Sequence, residues 1–159
     1  MSEPILDPRE RLMSLDRDNG PLGWSISIFA IAFGIWHVVT NVYLIEPGKW
    51  QNAIHFAGFA FLASMLYSPF GARSETMFAR AFDLNYGLSV AADALWIAWS
   101  ENAVYERTLA VTGQSWQFTA MDWIAGFLLI FAAIDLSRRV SGWVIPILIV
   151  LSLSYILFL

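Results

Sequence analysis

The sequence predicts an all-α integral membrane protein: a bundle of four transmembrane helices, a fifth C-terminal hydrophobic helix and a short N-terminal interfacial helix. Three observations lead there. Hydrophobic residues make up 58% of the chain and charged residues only 14%, against about 45–50% and about 25% in soluble domains. Apolar runs recur at about 23–45, 51–70, 84–100, 118–136 and 142–159, each near the roughly 20 residues that cross about 30 Å of hydrocarbon. Finally, seven of the nine basic residues fall before the first run or in alternate loops: Arg9, Arg11, Arg17, Arg73, Arg80, Arg138 and Arg139, with only Lys49 and Arg107 in the other loops. That asymmetry places the N-terminus in the cytoplasm and, after five crossings, the C-terminus on the far side.

The elements follow in order. Residues 1–22 form a polar cytoplasmic segment in which "DPRE" (7–10) reads as a helix start, with Asp7 as N-cap, Pro8 in the first helical position and Glu10 three residues after the cap. Its mixed charge does not resemble a removable signal peptide. Residues 23–159 form the membrane domain. Trp24, Trp50, Trp99, Trp116 and Trp143, with Tyr43, Tyr67, Tyr86 and Tyr105, stand near run ends, where amphipathic rings favour the headgroup region. In the third run Gly87, Ala91, Ala94 and Ala98 share one helical face, and Ala53, Ala57, Ala60 and Ser64 do so in the second. Ala30 and Gly34 offer a smaller pair in the first. Such small-residue faces permit close helix approach. The third and fifth runs are the shortest.

Composition also excludes functions. Without cysteine there are no disulfides, thiolate metal sites or cysteine nucleophiles, and a net charge of −4 provides no basic surface for nucleic acid. No Gly-rich phosphate loop, HExxH or G-x-S-x-G pattern occurs, and Ser137, Ser141, Ser152 and Ser154 lack a nearby histidine. The chain reads as a non-enzyme that needs no cofactor.

Polar residues at membrane depth are the candidates for chemistry, because burying them is costly. His37 and His55 fall at comparable depth in the outer halves of the first two helices. They suggest either two hydrogen-bonded histidines or, as an alternative function, a bis-histidine haem b in a small electron-transfer subunit. Asp93 lies in the middle of the third run, where a carboxylate should face a partner or carry a proton. A hydrogen bond to His37 or Asn41 is the structural expectation, and a proton or cation path is the functional one. Asp83 and Asp122 lie near run ends, within reach of interfacial water. Asp135, Arg138 and Arg139 have the i, i+3 and i, i+4 spacing of ion pairs on one helix face, and the arginines complement the C-terminal dipole of their helix. An anionic lipid headgroup or another subunit is the functional alternative for this trio.

Taken together, "AIHFAGFAFLASMLYSPFG" (53–71) and "VYERTLAVTGQSWQFTAMDWIAGFLLIFAAIDLSRRVSGWVIPILIVLSLSYILF" (104–158) resemble the small-subunit region of tripartite ATP-independent periplasmic (TRAP) transporters of the TAXI type. The resemblance rests on His55, Tyr67 with Pro69, Tyr105 and Glu106, Gly113, Asp122, and then Asp135, Arg138, Arg139, Gly142, Trp143 and Pro146. It covers roughly residues 20–159. It implies a non-catalytic scaffold in a bacterial or archaeal cytoplasmic membrane. The scaffold braces a large permease subunit, which imports a small organic anion delivered by a periplasmic binding protein and driven by an ion gradient. On this reading the chain binds no substrate itself. Its important residues are those facing partners or lipid: Asp135, Arg138, Arg139 and Trp143 on the cytoplasmic side, and Tyr105, Glu106, Arg107 and Asp122 on the outer side. The large part would be a separate chain, and the fifth run a connector that packs on it.

Overall fold

The computed structural model describes residues 20–43, 48–70, 76–110 and 116–158; the expected interfacial helix at 7–10 lies outside them. The described residues form five helices: α1 (Gly20–Tyr43), α2 (Gly48–Leu66), α3 (Met77–Leu109), α4 (Ala120–Ser141) and α5 (Val144–Phe158).

The α2–α3 hairpin is the centre of the bundle. Ala57, Gly58, Ala60 and Ser64 of α2 and Gly87, Ala94 and Ala98 of α3 are buried, so two small-residue faces meet and the backbones approach closely. The approach is tightest at two glycines. A Cβ on Gly87 would collide with the Ser64 hydroxyl, and one on Gly58 with the Phe33 ring of α1. Gly34, by contrast, has open space around its Cα; of the pair expected in α1, only Ala30 packs, against the α1–α2 core of Ile26, Phe33, Leu62 and Met65. α4 closes the third side through Ala132 and Leu136, which pack with Ala60 and Val90. α1 leans on α2, and α5 on α4.

Two features depart from the sequence expectation. α3 is 33 residues long, about 50 Å at 1.5 Å per residue, and extends far beyond the apolar run at 84–100. An apolar run marks where a helix lacks charge; its ends are set by capping. Here Thr76 accepts from the Ala79 N–H at 3.3 Å to start the helix, and the polar turns on both sides of 84–100 stay helical. Secondly, among the described helices only α1 and α4 are both long and apolar enough to cross a membrane by themselves. α2 has Lys49, Gln51, Asn52 and His55 in its first turns, and α3 carries Arg80, Asp83, Asp93, Glu101, Glu106 and Arg107. The apolar part of α5 is too short for that test.

Helix ends are built locally. α4 begins with a capping box: the Thr119 N–H donates to Asp122 Oδ2 at 2.7 Å, and the Asp122 N–H to Thr119 Oγ1 at 3.4 Å. It ends at Gly142, whose φ of +72° belongs to the region that glycine enters without steric cost. Gly142 donates its N–H to the Arg138 carbonyl at 3.1 Å, and α5 restarts two residues on with Pro146 buried in its first turn. Beyond that break α5 packs on α4.

Candidate functional site

At one end of the bundle, the C-terminal end of α2, the start of α3 and the end of α4 converge on Arg139. Its side chain is 4% exposed, and that of Asp83 opposite it 0% exposed. Arg139 Nη1 donates to Asp83 Oδ1 at 3.1 Å and to the Tyr67 carbonyl at 3.4 Å, while Nε reaches Asp135 Oδ2 at 2.7 Å. The second Asp83 oxygen accepts from the Ser68 hydroxyl at 2.8 Å. The guanidinium also lies 4.6 Å from the centre of the Tyr86 ring, a cation–π distance. Helices α3 and α4 and the segment that follows α2 thus share one buried, hydrogen-bonded charge network. Arginine suits it because a planar fork can serve two carboxylates and a carbonyl at once.

The structure therefore corrects the reading of Asp83. Far from reaching interfacial water, it is wholly buried and, with Asp135, pairs with Arg139. A signal was present in the sequence: Asp83 stands one turn before Gly87 on the buried face that continues through Val90, Ala94 and Ala98, so a carboxylate there must point inward. Tyr86, grouped with the interfacial rings, belongs to this network as well. Arg138 differs from its neighbour. It pairs with Asp135 at 2.9 Å and sits 5.6 Å from the centre of the exposed Trp143 ring, on the outside of the bundle.

At the opposite end, Arg107 Nη2 donates to Asp122 Oδ2 at 2.6 Å, the same oxygen that caps α4. The Gln117 N–H donates to Thr108 Oγ1 at 3.1 Å, pinning the chain before α4 against the end of α3. Lys49 Nζ reaches Asn102 Oδ1 at 2.6 Å and Glu101 at 3.6 Å, joining the start of α2 to α3. Tyr105 and Glu106 point outward. The four outer residues that the sequence groups together thus divide into a cross-element pair, Arg107 and Asp122, and two outward-facing side chains.

His37 and His55 come together. Their Nδ1 atoms are 3.3 Å apart, the ring centres 4.5 Å apart, and the Asn41 amide lies 3.3 Å from His37 Nε2. A bis-histidine haem needs the macrocycle between its ligands; here the rings bond to each other, with Phe59 against both. Among the described residues no three His, Asp or Glu side chains converge as metal ligands. Asp93 meets neither His37 nor Asn41, because it faces α4 rather than α1. It lines grooves on the α3–α4 seam, and its Oδ2 is buried without a hydrogen-bond partner among the described residues.

What this arrangement can do chemically is hold helices. At each end an arginine is bonded to an aspartate of another helix. Comparison of the chain with protein-family models, curated proteins and solved structures finds no match.

Proposed function

We propose that the chain is a membrane-embedded, non-catalytic scaffold: the small subunit of a TAXI-type TRAP importer, bracing a larger permease that moves a small organic anion delivered by a periplasmic binding protein. One observation carries the scaffold reading: the contrast between the inside and the outside of the bundle. Inside, the cationic Arg139 is engaged by carboxylates of its own and a neighbouring helix. Outside, the faces of α1, α4 and α5 present bulky apolar side chains, among them Ile31, Ile35, Phe127, Phe131, Leu148 and Leu151, an extent of apolar surface that soluble monomers do not leave in water. The charge asymmetry supports an inner-membrane topology with the Arg139 end on the cytoplasmic side, and the pattern from His55 to Pro146 supports the transporter class.

Affinity isolation of the tagged full chain from its native membranes tests the reading. A larger multi-helix membrane protein should co-purify in stoichiometric amount, and deleting the chain should abolish uptake of the organic anion by cells. A chain that is stable alone in mild detergent, with uptake unaffected by its deletion, overturns the proposal.

A further inference from the structure

Along the α3–α4 seam runs an apolar groove made of two adjoining parts of about 590 and 170 Å³, which share Asp93 and Leu128 in their walls. On α4 it extends from Met121 to Arg139, about 27 Å at the helical rise. Its lining is largely aromatic and aliphatic; Asp93 interrupts the apolar trough in mid-course, and the other carboxylate in its wall, Asp135 near its end, is bonded to Arg138 and Arg139. Asp93 Oδ2 is buried and has no hydrogen-bond donor among the described residues. Arg139, at the end of the groove, is already bonded to Asp83, Asp135 and the Tyr67 carbonyl.

Depth narrows the source of the missing donor. Asp93 is the midpoint of α3, with 16 residues to Met77 and 16 to Leu109, about 24 Å either way. With α3 spanning the bilayer as the scaffold reading has it, Asp93 sits near the centre of a hydrocarbon layer about 30 Å thick, remote from lipid headgroups and water. A charged side chain at that depth pairs with another protein group. The length of the trough fits an α-helix, and the buried oxygen fits a cation.

Resting on the scaffold reading above, we infer that the α3–α4 groove is the docking seat for one transmembrane helix of the larger partner, and that this helix presents a single Lys or Arg side chain to Asp93.

The chain's lack of cysteine makes the test direct. A single cysteine at Leu128, in the tagged full chain in native membranes, is labelled with a maleimide–benzophenone photocross-linker; a cysteine at Ile31 on α1 serves as control. The expected adduct forms from position 128 and maps by mass spectrometry to a transmembrane segment of a larger chain, within about one turn of a Lys or Arg. Asp93→Asn and Asp93→Leu should each reduce its yield about tenfold, while the thermal midpoint of the purified chain is unchanged or raised. Should either variant fail to accumulate, replacing the partner's mapped Lys or Arg by Gln supplies the same comparison from the other side. An adduct only to lipid or to a second copy, one confined to position 31, or a yield indifferent to both charges overturns the inference. If the larger chain co-purifies despite such a result, the scaffold reading stands without this seat; if no larger chain co-purifies, both fall.

Discussion

The two ends of the bundle use the same chemistry, an arginine bonded to an aspartate across elements, in opposite surroundings. At one end Arg139 and Asp83 are sealed at 4% and 0% exposure, with Asp135, Ser68, Tyr86 and the Tyr67 carbonyl completing the shell. At the other, Arg107 is 38% exposed, and Lys49 meets a Glu101 carboxylate that is 57% exposed. A buried pair strongly penalises loss of one partner because the other is left as an uncompensated charge, whereas a solvated pair is screened and loses little. The first end is therefore the structural lock between α3, α4 and the segment after α2, and the second a set of more exposed fasteners between helices.

Breaking the lock should give the largest effect. Arg139→Ala takes the buried arginine from the Asp83 carboxylate and should destabilise the bundle by about 3–5 kcal/mol, seen as loss of a monodisperse species in detergent and a lower unfolding midpoint. The comparison sharpens if Asp83→Leu combined with Arg139→Met recovers much of that loss, since both charges then leave the interior together; a double variant as unstable as the sum of the singles would show that the pair is not the lock. Next in size, Gly87→Ala pushes a Cβ into the Ser64 hydroxyl and should cost about 1–3 kcal/mol by overpacking, checked by the same melt, with Gly34→Ala as the harmless control. Ser68→Ala, which leaves Asp83 Oδ2 short of a donor, should cost a similar or smaller amount, about 1–3 kcal/mol. Smallest is the outer end: Arg107→Ala should change the midpoint by no more than about 1 kcal/mol. That difference should vanish in about 1 M salt, where the screening length falls to about 3 Å, while the Arg139→Ala loss persists. An Arg107→Ala effect as large as that of Arg139→Ala would erase the distinction between the ends.

Much of the architecture is legible in the chain because it depends on local pattern. The Gly87/Ala94/Ala98 and Ala57/Ala60/Ser64 stripes mark the faces that meet, and the spacing of Asp135, Arg138 and Arg139 marks a helix-surface ion pair. The helix ends are less legible: the polar first and last turns of α3 look like loops when only apolar runs are read, and Thr76 as cap is one threonine among several. The site was half legible. Arg139 stands out as a cation between apolar runs, but its partner Asp83 lies 56 residues away in sequence and becomes its partner only when α3 and α4 pack antiparallel.

By itself, then, the sequence determined the helical class, the succession of helices and the small-residue faces through which they meet, because each follows from side-chain size and polarity repeating at the helical period. Only the tertiary structure decided which of two adjacent arginines is buried. Arg138 and Arg139 differ by one residue, about 100° around the helix. That rotation turns Arg139 toward Asp83 and Ser68 and leaves Arg138 beside Trp143 at the surface. It likewise decided that Asp93 faces the α3–α4 seam instead of the histidines, because a carboxylate's neighbours depend on which helices flank its own, and no local pattern carries that information.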